Sequence, residues 1–426
     1  MLTMLAFTAC SSDNDERADA PRFYNVTLTA SMGDAETRAL SENGNVITAT
    51  FAEKDEVVVV EEDGVTIIGT LTAQSAGEST TLSGTLDAKT LEVNEVVKLR
   101  YRSATANYDG QVGTLDGIAA NQDYEEGTLT VTSTDPLTFN SNSVTLLAKQ
   151  SITKFTFKNG TNPVSVKSFG IAAIGLVQSI ATNGIETVGA VTGTLSTASS
   201  DVYVSLRNNT DAKQTYAFTI NDNAGNWYTA TKNAKLTNAK NYTATVKLNK
   251  LPALTSGSAV GTIGVVGGLP AIVIVNNNTT KTAVALMNVG ALCPEAYGTY
   301  YTFANLPSGD WYVPSKAELE TLAGFSSSWI DPAPYGVNGR TFTIGGSTLF
   351  LPAAGYIDND VEVGEEPVRS GKELVSTFGY YWSQTEVTPS GSMACSYQFS
   401  ASINDTYSEY KVNALTVRPF HTLSAQ

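Results

Sequence analysis

From Phe23 to Leu248 the chain is written in short runs that alternate apolar and polar side chains. Phe23-Tyr24-Asn25-Val26-Thr27-Leu28-Thr29 alternates, as do Ile152-Thr153-Lys154-Phe155-Thr156-Phe157 and Tyr216-Ala217-Phe218-Thr219-Ile220. Tyr242-Thr243-Ala244-Thr245-Val246-Lys247-Leu248 repeats the pattern. Residues two apart share one face of a strand but fall on opposite sides of a helix, so this period selects half-buried antiparallel strands. Glu62-Asp63-Gly64, Lys158-Asn159-Gly160 and Asn223-Ala224-Gly225-Asn226 supply turns between the runs. The expected class is mainly β, with two tandem antiparallel β-sandwiches at 39–150 and 151–250. Ser168 to Ala181 is the stretch there with a helical reading, weakened by its glycines.

Charge and reactive side chains restrict the function. Lys and Arg number 26 against 41 Asp and Glu, a formal net charge of -15. That sign disfavours nucleic acid and anionic lipid, which are held by cationic side chains. His421 is the sole histidine and there are three cysteines. A Ser-His-Asp or Cys-His apparatus, a zinc ribbon and a dense disulfide scaffold are therefore disfavoured. No enzyme activity, catalytic residue or cofactor is expected.

Met1 to Ala9 is a short apolar run ending in small residues before Cys10. Phe7-Thr8-Ala9-Cys10 resembles a lipobox, which makes 1–9 a lipoprotein signal and Cys10 the lipidated residue. The usual basic start is missing, so the true start is expected upstream of Met1. Ser11-Ser12-Asp13-Asn14-Asp15-Glu16 resembles the surface-export signal of Bacteroides-type lipoproteins. No segment reaches the ~20 uninterrupted apolar residues of a membrane-spanning helix.

Following that signal, Phe51-Ala52-Glu53-Lys54-Asp55-Glu56-Val57 and Leu236-Thr237-Asn238-Ala239-Lys240-Asn241-Tyr242 resemble the fimbrillin-like pilus subunits of Bacteroidetes. The resemblance implies an outer-membrane lipoprotein precursor, tethered through Cys10 and later built into a cell-surface fimbrium. In that family an Arg-specific protease removes the first strand, and a neighbouring pilin subunit donates a strand to the groove. Glu36-Thr37-Arg38-Ala39 follows the first run, so the resemblance places processing at Arg38-Ala39, with 10–38 as the removable segment. Arg17 and Arg22 precede that run, and cutting there opens nothing.

Leu251-Pro252-Ala253-Leu254-Thr255-Ser256-Gly257-Ser258 reads as a linker. Beyond it, 258–426 holds Trp311, Trp329 and Trp382 and, by count, 11 of the 19 tyrosines. Ser315-Lys316-Ala317-Glu318 is a capping box for a short helix, which Gly324 ends. Trp311-Tyr312-Val313-Pro314-Ser315-Lys316-Ala317-Glu318-Leu319, Leu351-Pro352-Ala353-Ala354-Gly355-Tyr356, Tyr381-Trp382-Ser383-Gln384-Thr385 and Val417-Arg418-Pro419-Phe420 occur in order. Together they resemble the C-type-lectin-like module called the Fibrobacter succinogenes major paralogous domain, an α+β fold. The Glu-Pro-Asn, Gln-Pro-Asp and Trp-Asn-Asp triplets of calcium-dependent lectins are absent.

Trp329, Tyr335 and Tyr356 lie in or beside loop segments and are the candidate ligand-binding residues. Trp311 and Trp382 are expected in the core. Asp358, Asp360 and Glu362 form a weak calcium candidate, since hard cations take clustered oxygens. Cys293 and Cys395 are a possible disulfide across about 100 residues, with two buried thiols as the alternative. The formylglycine-generating enzymes share the lectin-like fold but use a nearby late cysteine pair, which this spacing does not provide.

The expected function is the tip adhesin of a Bacteroidetes-type pilus, binding a host protein or glycan through its C-terminal domain. Only His421 to Gln426 follows Phe420, too little for a donated strand, so the chain is expected to accept a strand without giving one. The alternative is a glycan-binding surface lipoprotein that does not polymerise.

Overall fold

The computed structural model describes residues 22–32, 41–43, 46–48, 50–101, 103–277, 281–332, 334–359 and 372–423. Cys10, Arg38, Ala39, Asp360 and Glu362 lie outside the described residues. Strands hold 55% of the described residues and helices 5%, so the chain is mainly β. Among the described residues no helix is long and apolar enough to cross a membrane. The chain divides into two compact units.

The first unit comprises the described parts of 1–33, 50–104 and 125–147. Its strands are β1 (Phe23–Met32), β2 (Glu56–Val60), β3 (Ile67–Ala73), β4 (Ser79–Asp87), β5 (Val96–Tyr101), β6 (Glu125–Thr134), β7 (Leu137–Phe139) and β8 (Ser143–Ala148). They form one sheet in the order β7-β6-β8-β1-β4-β3-β2-β5, and pairing of β5 with β6 closes seven of the strands into a ring. The alternating runs turn Val26, Leu28, Leu71, Leu82, Val97, Leu99 and Leu146 inward as one core. The Phe51–Val57 motif is a locked turn leading into β2. Phe51 packs edge-on against Tyr101, and the Tyr101 hydroxyl donates to Asp55 Oδ2 at 2.8 Å. The same carboxylate oxygen accepts the Ala52 amide at 2.8 Å.

Residues 105–124 do not stay with the first unit, as a boundary near 150 would require, but join the second. Tyr108 is fully buried in the second core, and Ala106–Asn107 pairs with a strand of that sandwich. Gln111 secures the excursion: its Nε2 donates to Ser205 O at 2.7 Å and its Oε1 accepts the Ser205 amide at 2.9 Å. Helix α1 (Leu115–Asn121) follows, with Thr114 capping the Gly117 amide.

The second sandwich uses β9 (Ser151–Asn159), β10 (Val166–Ala172), β11 (Leu176–Ile180), β12 (Val191–Ser199), β13 (Asp201–Asn208), β14 (Gln214–Asp222), β15 (Trp227–Ala234) and β16 (Asn241–Lys247). One sheet contains β16-β9-β13-β11, the other β12-β10-β14-β15. Phe155, Phe157, Phe169 and Phe218 fill the space between them. The helix considered for 168–181 is instead β10 and β11, because Phe169, Ile171, Leu176 and Val177 all belong to this core. The sandwiches are not wholly antiparallel either: β1 runs parallel to β8, and β9 parallel to β16.

The C-terminal region belongs to the second unit. It holds β17 (Ile263–Val266), β18 (Leu269–Asn276), β19 (Lys281–Ala285), β20 (Tyr300–Thr302), β21 (Trp311–Tyr312), helix α2 (Lys316–Ala323), β22 (Ser326–Ile330), β23 (Gly339–Ile344), β24 (Ser347–Pro352), β25 (Gly379–Glu386), β26 (Met393–Phe399), β27 (Asn404–Tyr410), β28 (Ala414–Thr416) and β29 (Phe420–Thr422). Three sheets result: β17-β18-β19-β29-β21, β22-β23-β24, and a third built on β28-β25-β26-β27 with β20 beside β28. The capping box forms as its residues dictate: Ser315 Oγ accepts the Glu318 amide, and Glu318 Oε2 accepts the Ser315 amide at 2.8 Å. Leu319 and Leu322 bury the inner face of α2 against Phe342, Tyr397 and Phe399.

The linker at 251–258 is fastened, with the Leu254 amide donating to Val265 O at 2.8 Å and the Leu254 side chain buried. Trp227 of the sandwich donates its indole N–H to Gly268 O at 2.8 Å. Gly336 sits at φ 79° with backbone of the sandwich so close that a Cβ would lie 2.2 Å from Ala173 O. Gly346 has φ 86° but open space around its Cβ position. Gly336→Ala is therefore expected to cost about 2–3 kcal/mol in thermal or urea unfolding, against ~1 for Gly346→Ala. Equal costs would show that the close approach is unimportant.

Candidate functional site

In the ring of the first unit, β1 has one antiparallel and one parallel neighbour. β1 pairs antiparallel with β4 from Phe23↔Asp87 to Ser31↔Ser79. Its other edge pairs parallel with β8 from Thr29↔Ser143 to Met32↔Leu146. A parallel neighbour requires a long crossover, so β1 is laid between two strands that reach it from elsewhere in the chain. Val26, Leu28 and Ala30 point inward at 7%, 5% and 0% exposure. The Thr29 amide donates to Asn142 O at 2.8 Å and the Met32 amide to Glu78 O at 3.0 Å. Ser79 Oγ donates to Ala30 O at 3.0 Å. With β1 absent, β4 and β8 would face each other across a slot with unpaired backbone and bare apolar side chains.

The three aromatic candidates are not brought together, and none stands free in a loop. Trp329 is half-buried within β22, with its ring 6.5 Å from Phe399. Tyr335 is stacked on Phe350 at 4.1 Å and 7°. Tyr356 packs against Tyr380 at 4.9 Å. Trp382 is a core residue at 0% exposure and donates its indole N–H to Tyr301 O at 2.6 Å. Trp311 is only half-buried, 5.0 Å from His421. Asp358 is described, but Asp360 and Glu362 are not, and no cluster of three or more His, Cys, Asp or Glu suited to a metal occurs among the described residues. The possible disulfide is not formed: Cys293 and Cys395 are both free, buried thiols. Cys293 packs with Ala172, Ala190 and Ala296, whereas Cys395 lies mid-strand opposite Ser408.

Sequence reasoning missed a cleft of about 870 Å³ lined by Thr302, Phe303, Ala304, Asn359, Glu386, Lys411 and Val412. Lys411 Nζ lies 3.0 Å from Glu386 Oε1 and 5.1 Å from the Phe303 ring centre. Phe303, Glu386 and Lys411 are far apart in the chain, so no local motif announces them.

No protein-family model matches the chain, and no curated protein matches it. Solved structures do. A fimbrial assembly protein of Parabacteroides distasonis is 12% identical, with 59% of this chain and 95% of that one covered at a TM-score of 0.28. The tip fimbrial protein Mfa3 of Porphyromonas gingivalis, with C-terminal truncation, is 9% identical over 54% and 98% of the two chains at 0.29. A candidate cell adhesion protein of Bacteroides uniformis is 13% identical over 53% and 96% at 0.31. These structural neighbours are fimbrial and cell-adhesion proteins of Bacteroidetes. TM-scores of this size leave the functional reading to the chain's own geometry.

Two buried charges lie near the joint of the second sandwich and the C-terminal region. Arg418 is fully buried and donates to Ala285 O at 3.2 Å and Phe350 O at 3.1 Å. Burial lifts the Glu295 carboxyl from its ordinary value to about 7. Hydrogen bonding from its own amide and from Cys293, and the Arg418 charge, oppose that rise. Because the folded pKa lies above the unfolded one, the neutral acid favours folding below pH ~4.5, and that contribution is lost as pH climbs through ~7. Glu295→Gln should thus leave urea stability nearly unchanged at pH 4.5 and raise it by about 2–3 kcal/mol relative to the native chain at pH 8. A pH-independent difference would contradict the assignment.

Proposed function

We propose that the chain is a subunit of a bacterial surface fibre: exported as a lipoprotein on Cys10, cut at Arg38-Ala39, and assembled by taking another subunit's strand in place of β1. Its role is assembly and binding, without catalysis. The observation that carries this reading is the placement of β1 between antiparallel β4 and parallel β8 in a closed ring. The segment after Met32 links β1 along the chain to the strands it pairs with, and Arg38 lies in that segment of the sequence. After a cut at Arg38, β1 is held by its ladders and by Val26, Leu28 and Ala30, whose burial is worth roughly 4–5 kcal/mol. A donor strand with the same alternation replaces both contributions, which is strand addition to an exposed sheet edge.

Within such a fibre we assign the chain the tip position. β29 lies between β19 and β21 and is committed to its own sheet. The C-terminal region would then present a host or glycan ligand-binding face. The runner-up, a glycan-binding lipoprotein that never polymerises, lacks any need for a replaceable β1.

Limited digestion of the lipid-free folded chain with an Arg-specific protease, read by intact mass, tests the proposal. The expected result is a dominant product beginning at Ala39 that releases β1 when an alternating donor peptide is added. Arg38→Gln should abolish that product. Leu28→Ala should lower the stability of the uncut chain by about 2–4 kcal/mol and speed the exchange. A cut chain that never exchanges β1 would leave the non-polymerising lipoprotein.

A further inference from the structure

The cleft in the C-terminal region is built where three strands end together. Glu386 closes β25, Tyr410 closes β27 just before Lys411, and Thr302 closes β20 just before Phe303. Its polar pair is held from behind: Glu386 Oε2 accepts the Ser390 amide at 2.9 Å while Oε1 faces Lys411. The Phe303 ring stands edge-on to the buried Trp382 at 5.6 Å, so the aromatic wall is anchored in the core. Thr302 Oγ1 accepts from Asn305 Nδ2 at 2.8 Å, which leaves its O–H to donate. Val412 is 50% exposed, and the exposed Val387 and Tyr410 adjoin Glu386 and Lys411 in the chain.

The geometry points to this cleft as a binding site for a neutral oligosaccharide. The inference rests on the ligand-presenting role proposed for this region and names its site and ligand class. The volume lies within the range of small-ligand clefts, and a mostly apolar wall with a few fixed polar groups is their usual composition. A pyranose fits that mixture because it carries both hydroxyls and an apolar C–H face. Neighbouring hydroxyls can donate to Glu386 and accept from Lys411, while the C–H face lies on Phe303, Ala304 and Val412. Charge selects against anionic sugars, since Glu386 already neutralises the cleft's cation and the chain as a whole carries -15. An extended peptide fits less well. The Phe303 amide already donates to Lys411 O at 3.2 Å, and Val412 O accepts from Asn359 Nδ2 at 2.9 Å, so these wall groups are not free to pair with a strand.

The test applies the lipid-free full chain to an array of neutral hexose and N-acetylhexosamine oligosaccharides, sialylated oligosaccharides and immobilised peptides. Affinity for the best neutral glycan is then measured by calorimetry. Lys411→Met and Val412→Asp, each checked for native unfolding behaviour, should weaken it by about tenfold or more. Trp329→Ala should change it by less than about twofold. Neutral glycans bound equally well by both cleft variants would overturn the site while leaving the region's ligand role standing. Sialylated glycans or peptides bound in preference would overturn the ligand class. A blank array from a chain that still exchanges β1 after cutting would overturn the cleft and the ligand role, with assembly intact.

Discussion

A ring of strands closes only if every member has two neighbours, and in the first unit β1 is the neighbour that β4 and β8 share. The other strands of the ring gain their pairing from it indirectly, because an open slot there would turn both flanking strands into edges. Edges are the part of a sheet that recruits another chain. The unit is therefore complete only with something in that position. There β1 turns a side chain inward at every second residue, with Val26, Leu28 and Ala30 buried.

The second unit obeys a different logic. Its sandwich has two separate sheets over a phenylalanine core and is complete without a borrowed strand among the described residues. Its contribution is attachment. Short side chains on β10 and the Ala190 segment let Cys293 and Ala296 come close, and Gly336 meets the backbone of Ala173 directly. Large side chains at such a joint would hold the two parts apart. Small ones make it a continuous packed body, in which Glu295 and Arg418 are shielded from water.

Local signals in the sequence were readable where neighbours along the chain decide the outcome. The alternation at 152–157 lies inside β9, and the Ser315–Glu318 box sits at the start of α2. Long-range pairing was not readable. Nothing in Phe23–Met32 states that its parallel partner is Ser143–Ala148, and nothing near Tyr108 marks residues 105–124 as part of the second core. Trp329 looked like a loop residue because serines and Asp331-Pro332 flank it, yet those serines line an outer strand. The cleft was invisible for the opposite reason: its aromatic, acid and base come from positions 303, 386 and 411, each ordinary where it stands.

The nine residue pairs between β1 and β4 also set how the slot responds to tension. Hydrogen bonds in an antiparallel ladder run across the strands, so a pull along the strand axis loads the whole ladder in shear. Bonds sharing a load must fail nearly together, whereas a pull across the sheet would peel them one after another. The same occupant is thus firmly held against drawing lengthwise and removable by zipping from one end. Under the assembly proposed above, a rival strand would fill the slot stepwise and, once seated, resist a lengthwise pull.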